Sequence, residues 1–269
     1  MDLKLQGKRA LVTGSSSGIG AAIALALADE GVSVVVHGRD AAKAGGVAQQ
    51  VKGRGVGAEV ALGDLTRDDA AAAVARGALA AFGGIDILVN CAGGVVRGDN
   101  PQWSDVRPEE WLACFDFNVV AAIRMAQALA PGMVERGWGR IINISSVGGG
   151  RFSGMHLEYG SAKCAIEHVT GNLSKVLARQ GVTVNVVIPG TVLTPQSRRW
   201  ILTLREQNGW SEDFAENERT YTSQFSPQPV PRLGRPEEIA AAVAFLASPR
   251  SDYTTGAALR VDGGSASAR

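Results

Sequence analysis

Seven short runs of β-branched and other apolar residues recur along the chain: RALVTG, VSVVVHG, AEVALGD, IDILVN, RIINISS, VTVNVVIPG and AALRVDGG. Most are apolar at successive positions rather than alternate ones, so the strands they form must be covered on both faces. Longer alanine-rich segments lie between most of them, such as Gly18 to Gly31, Asp68 to Phe82 and Glu109 to Arg136, and these suit helices. That alternation predicts an α/β fold in which helices cover both faces of a doubly wound, parallel, seven-stranded sheet. The rhythm fills residues 1–269 as one domain, with no linker, repeat or low-complexity tract.

The rhythm breaks between Thr194 and Pro231, where a charged stretch with several aromatic residues ends in FSPQPVPRLGRP. It is too polar for a sheet strand and too long for an ordinary connection. Trp200, Trp210, Phe214 and Tyr221 give it apolar surface to pack, so a helical flap over a ligand site is expected there.

Composition narrows the class. Hydrophobic residues make up 45% and charged residues 20%, with a formal net charge of +1. No block of Lys and Arg points to nucleic acid or an anionic membrane. The longest apolar run, Ala21 to Ala28, falls far short of a membrane span, and MDLKLQGKRALVTG does not read as a secretion signal. Cys91, Cys114 and Cys164 are odd in number and lack C-x-x-C spacing, so free buried thiols in a reducing cytoplasm are expected. His37, His156 and His168 form no ligand cluster with them, so neither a metal nor a Cys/His nucleophile is expected.

Two stretches carry chemistry. TGSSSGIG, Thr13 to Gly20, follows the first strand and opens the first helix. Glycines let the backbone approach a ligand, and the N–H groups of a helix N-terminus attract anions, so this is a phosphate cradle in the context a dinucleotide site requires. The second, EYGSAKCAIEH, places Tyr159 and Lys163 one helical turn apart on one face. An ammonium near a phenol favours the phenolate, which suits a tyrosine that exchanges protons near neutral pH. Taken alone, Y-x-x-x-K is a common spacing that more often describes a packed tyrosine beside a solvated lysine.

The rest of the chain supplies the context. T-G-x-x-x-G-x-G, DILVNCAG, NISS, YGSAK and PGTVLT occur in this order, and RLGRPEEIA and VDGG follow. In these motifs the chain resembles the short-chain dehydrogenase/reductase family, and in the last two its 3-oxoacyl-acyl-carrier-protein-reductase-like members. The resemblance implies a Rossmann-type fold and hydride transfer between a nicotinamide dinucleotide and a carbonyl or secondary alcohol. It assigns acid/base work to Tyr159, depression of the phenol pKa and ribose binding to Lys163, carbonyl polarisation to Ser146 and support of a relay water to Asn118. By the same resemblance Gly14, Ser15, Ser16, Ser17, Gly18, Ile19 and Gly20 hold phosphates. Asp64 and Leu65 meet the adenine, Asn90, Ala92 and Gly93 flank the adenosine half, and Pro189, Gly190 and Thr194 meet the nicotinamide end. Cys91 stands where the family usually has a second asparagine.

The second strand ends VVVHGRD, where the family's acidic position falls on Gly38 and Arg39 comes next. A carboxylate there would bind a ribose 2′-OH, whereas a guanidinium grips a 2′-phosphate, so NADP(H) is favoured over NAD(H). An NAD-linked alcohol dehydrogenase of the same fold is the alternative, followed by a dinucleotide-binding regulator without turnover. A sugar-nucleotide epimerase would space its loop T-G-x-x-G-x-x-G. Substrate walls are expected around Val95 to Trp103, around Gly148 to His156 and in the flap. Cys164 is expected to turn toward packing, Ser145 to be structural, and Glu158 and Glu167 to lie on the helix surface. The resemblance also implies a homotetramer built on Glu109–Arg136, Ser161–Gln180 and the last strand.

Overall fold

All seven apolar runs are strands of one parallel sheet: β1 (Arg9–Val12), β2 (Ser33–Gly38), β3 (Ala58–Leu62), β4 (Ile87–Asn90), β5 (Gly139–Ile144), β6 (Val182–Pro189) and β7 (Ala258–Val261). The computed structural model describes residues 1–96, 102–152 and 154–266. The strand order is β3-β2-β1-β4-β5-β6-β7, so the winding reverses between β1 and β4. In open α/β sheets ligands bind outside the carboxyl ends of strands at such a point.

The double-sided burial read from the sequence has a direct structural cause. On one face Val12, Val34, Val36, Val89 and Ile142 pack with α1 (Gly18–Asp29), α2 (Ala41–Lys52) and α9 (Pro236–Ala247). On the other, Leu11, Val35, Leu88, Ile141 and Val184 pack with α3 (Asp68–Phe82) and α5 (Ala121–Glu135). Neighbouring residues of one strand thus feed opposite cores, as the period of two requires. At the amino end of the sheet Asp86 ties β1 to β4. It accepts from Arg9 Nε at 2.8 Å and Nη2 at 2.6 Å, and Arg136 Nε lies 3.3 Å away.

The segment expected as one helix over Glu109–Arg136 is α4 (Pro108–Phe115), a π-helical turn over Asp116–Val120, and then α5. Pro108–Glu135 is long and apolar enough in composition to cross a bilayer. Here its apolar side, including Met125, Leu129 and Met133, is packed against the sheet. The Thr194–Pro231 segment is helical for much of its length, with α7 (Pro195–Asn208), α8 (Phe214–Thr220) and a π-helical turn over Tyr221–Phe225. Trp200 meets Tyr221 edge-on at 5.2 Å and Trp210 meets Phe225 at 4.9 Å, so the aromatic residues pack on one another.

Three surface expectations are corrected. Only Cys114 is fully buried; Cys91 is half-buried and Cys164 is exposed. Glu158 is 3% exposed, facing the Cys114 side of α4 rather than solvent, because α6 (Leu157–Val176) is covered there by α4. Glu167 is half-buried, and its Oε1 lies 2.7 Å from Ser145 Oγ.

Candidate active site

β1 delivers the chain into the phosphate loop. Gly14 has φ +67°, and a Cβ there would come 2.9 Å from Ala92 Cα, so loop and β4 end touch backbone to backbone. Thr13 Oγ1 accepts from the N–H groups of both Cys91 and Ala92 at 3.0 Å, holding the two loops together. Replacing asparagine by cysteine at position 91 leaves this backbone arrangement in place. Ser15 Oγ donates to Val12 O at 2.6 Å and accepts from His37 N at 2.9 Å, so its hydroxyl is spent on the scaffold.

The start of α1 is open to an anion. Ser17 makes no side-chain cap, and the first turn, with Gly18, Ile19 and Gly20, holds no acidic residue. Its N–H groups and partial positive charge are therefore free for phosphate oxygens. A dinucleotide fits this cradle. Thr194 caps α7 through Ser197, and its Cγ2 would lie 3.4 Å from a Cβ on Gly18, so the start of the flap segment reaches the cradle.

Toward β3, Gly38 packs so closely on Ser16 that a Cβ would fall 2.8 Å from the serine Cβ. An acidic side chain has no room there without displacing Ser16. Arg39 is exposed, and among the described residues it has no hydrogen bond or ion pair. Asp64 accepts from Thr66 N at 3.0 Å and Oγ1 at 2.8 Å, and the Thr66 backbone bond is the main reason its pKa lies below the ordinary value. Leu65 is buried in the α3 side of the core. Asn90 points into the sheet, its amide donating to Asn143 Oδ1 at 2.9 Å. Pro189 ends β6, and Gly190 packs against the Asp262 backbone.

The four residues assigned to catalysis converge at the carboxyl ends of β4 and β5. Asn118 sits in the π-helical turn, where its Nδ2 donates to Gly94 O and Cys114 O at 2.9 Å and its Oδ1 accepts from Gly94 N at 2.9 Å. A Cβ on Gly93 would lie 2.7 Å from Asn118 Oδ1 and 3.1 Å from Lys163 Nζ, which places both side chains at one glycine. Ser146 follows β5, and its Oγ and the Tyr159 ring flank Gly148, where a Cβ would lie 3.5 Å from Ser146 Oγ and 3.7 Å from Tyr159 Cε1. Ser145 beside it is structural, lying 3.0 Å from Lys163 O.

The electrostatics depart from the expectation drawn from spacing. Burial pushes the Tyr159 phenol above its ordinary value, against the lowering effect of nearby Ser146. Burial also lowers Lys163 to about 8. The ammonium donates to Ile144 O at 3.0 Å and lies 5.6 Å from the tyrosine ring centre. Desolvation therefore acts on both groups against their charged forms, and the pair alone does not bring the phenol toward neutrality.

Two features of the site were not singled out from sequence. His37 bonds across the loop on both sides, and the π-helical turn aims Asn118. His156, the residue before α6, has φ +47° and is half-buried with Nδ1 3.9 Å from Glu158 Oε1. Of the expected substrate walls, residues 97–101 and Ser153 lie outside the described residues. Arg151 donates to Ser226 Oγ at 3.0 Å, linking the loop after β5 to the Thr194–Pro231 segment.

Comparison with known proteins fits this geometry. A family model described as enoyl-(acyl carrier protein) reductase matches residues 14–266. The 3-oxoacyl-[acyl-carrier-protein] reductase of Vibrio cholerae is 36% identical over 97% of this chain and 98% of its own length. The chain belongs to the short-chain dehydrogenase/reductase family. As a member, it is an oxidoreductase acting on CH–OH and C=O groups. Its structure is similar to that of L-sorbose reductase from Gluconobacter frateurii complexed with NADPH and L-sorbose, with TM-score 0.93 and 33% identity over 100% of both chains. It is also similar to a 7α-hydroxysteroid dehydrogenase complexed with NADH and a 7-oxo bile acid, with TM-score 0.82 and 30% identity over 98% and 96% of the two chains.

Proposed function

We propose that this short-chain dehydrogenase/reductase is an NADP(H)-dependent ketoreductase in which Tyr159 is the acid/base. The convergence of Asn118, Ser146, Tyr159 and Lys163 at the ends of β4 and β5 carries the reading. When bound, the nicotinamide supplies the hydride for reduction or accepts it in the reverse direction. Ser146 and the Tyr159 phenol are adjacent donors for one carbonyl oxygen, and the phenol gives it the proton. A phenol held above its ordinary pKa stays protonated at neutral pH, which is the form reduction needs. Lys163 and Asn118, gathered at Gly93, would hold the nicotinamide ribose and a relay water.

Among the described residues Arg39, beside Gly38, makes no hydrogen bond or ion pair, which supports NADP(H), since its guanidinium can grip a 2′-phosphate without breaking a bond first. The Thr194–Pro231 segment, joined to the loop after β5 by Arg151, would cover the substrate. The decisive experiment is Tyr159→Phe on a carbonyl substrate found by screening with NADPH. The variant should fold, bind NADPH and lose roughly 10²–10⁴-fold in turnover, the usual worth of general acid/base catalysis. Near-normal turnover would refute the assignment.

A further inference from the structure

His37 lies on β2 at 3% exposure, an unusual place for an imidazole directly after the buried run Val34, Val35 and Val36. Both ring nitrogens have partners. Nδ1 receives the Gly14 N–H at 3.0 Å, and Nε2 lies 3.1 Å from Gly63 O. A backbone N–H can only donate and a carbonyl can only accept, so one ring state satisfies both: neutral, with the proton on Nε2. Burial lowers the pKa of the ring, and Arg39 nearby adds to this, opposed by the Gly63 bond and by Asp64. The acceptor lone pair on Nδ1 therefore persists at neutral pH.

The two partners belong to different loops. Gly14 begins the phosphate cradle after β1, and Gly63 precedes Asp64 after β3. The His37 backbone adds two more bonds to the cradle, its O accepting from Ser15 N and its N donating to Ser15 Oγ, both at 2.9 Å. A leucine could fill the same space in the core, but only a group that accepts on one side and donates on the other can tie both loops. We propose that His37 is a positioning residue for the dinucleotide, clamping the phosphate loop to the adenine-side loop so that both meet the cofactor preformed. This rests on the cofactor reading given above.

The test titrates NADPH, and separately NADH, into the wild type, His37→Leu and His37→Asn, with urea unfolding curves for each. His37→Leu leaves the Gly14 N–H and Gly63 O unpaired. His37→Asn can return an acceptor to Gly14 but cannot reach Gly63. Both dissociation constants should rise about tenfold in the leucine variant, the scale of one orphaned buried donor, and recover in part with asparagine. Turnover at saturating cofactor should stay within about twofold, because the clamp touches no reacting atom. Should the leucine variant fail to fold, His37→Gln, which reaches Gly63 but not Gly14, takes its place and should bind more weakly than the asparagine variant. Unchanged dissociation constants, a fall in turnover without a change in binding, or asparagine no better than its comparator would overturn the clamp. A wild type that binds neither dinucleotide would instead remove the cofactor reading, and the clamp with it.

Discussion

Lys163 shows how much a single buried charge can cost the fold that carries it. Its pKa of about 8, against 10.5 for an exposed lysine, amounts to about 3 kcal/mol of disfavoured charge. The sign follows from proton counting. Below pH 8 both folded and unfolded chains hold the proton, and the folded state bears the whole cost of burying it. Between pH 8 and 10.5 the unfolded chain holds more protons, so this contribution to stability improves as pH rises. Lys163→Met should therefore stabilise the protein at pH 7 by about 1–2 kcal/mol, after allowing for the lost bond to Ile144 O. The advantage should shrink as pH rises toward 10.5. Urea unfolding at both ends of this range decides it; a methionine variant less stable at pH 7 would refute the accounting. The spacing of Tyr159 and Lys163 put them on one helical face, and the ordered motifs around them gave that pair its reading. Their pKa directions were not legible there, because burial comes from elements far along the chain.

At the scale of elements, the β1–β4 junction is where the ligand crevice opens, and Asp86 fastens its opposite end. Burial alone would raise this carboxyl, but the Arg9 hydrogen bonds and the charges of Arg9 and Arg136 outweigh it and hold its pKa below the ordinary value. Asp86→Asn should cost roughly 2–3 kcal/mol, less than a fully buried pair because the arginines remain partly solvated. In the wild type, a depressed carboxylate contributes stability above its unfolded value of 3.8 and loses it as pH falls through the folded value. Acid unfolding followed by circular dichroism should show this loss in the wild type and not in the asparagine variant. The π-helical turn at Asp116–Val120 is the element that sequence periodicity missed. One added residue per turn does not interrupt an apolar pattern enough to show, yet it re-aims Asn118.

For the whole molecule, the remaining question is assembly. Between α5 and α6 lies an open groove of about 560 Å³, with Ala126, Ala130, Val134, Val169, Leu173 and Val176 along it. Val176 is 66% exposed, and the strand at the sheet's edge, β7, has Ala258 and Arg260 facing solvent. A second copy laid helix against helix would cover this groove, and a further pairing at β7 would complete the tetramer that the family resemblance implies. Light scattering at micromolar concentration should report a mass near four chains. Val176→Glu should dissociate the helix-paired interface, and a wild type that stays monomeric would defeat the proposal.

What the linear order of residues determined is the local and periodic part of the molecule. Strands apolar on both faces, a glycine loop between strand and helix, and a tyrosine one turn before a lysine each involve neighbours whose relation is set by backbone geometry. The doubly wound parallel class and the glycine-loop cradle follow from those, whereas the strand order and the meeting of Asn118, Ser146, Tyr159 and Lys163 do not. What only the tertiary structure decided involves groups brought together from distant segments. His37 has its tautomer selected by Gly14 and Gly63, Glu158 is hidden by α4, and Tyr159 and Lys163 are pushed toward their uncharged forms by the walls around them. Hydrogen bonding and desolvation depend on which atoms arrive from elsewhere, and no window of sequence contains them.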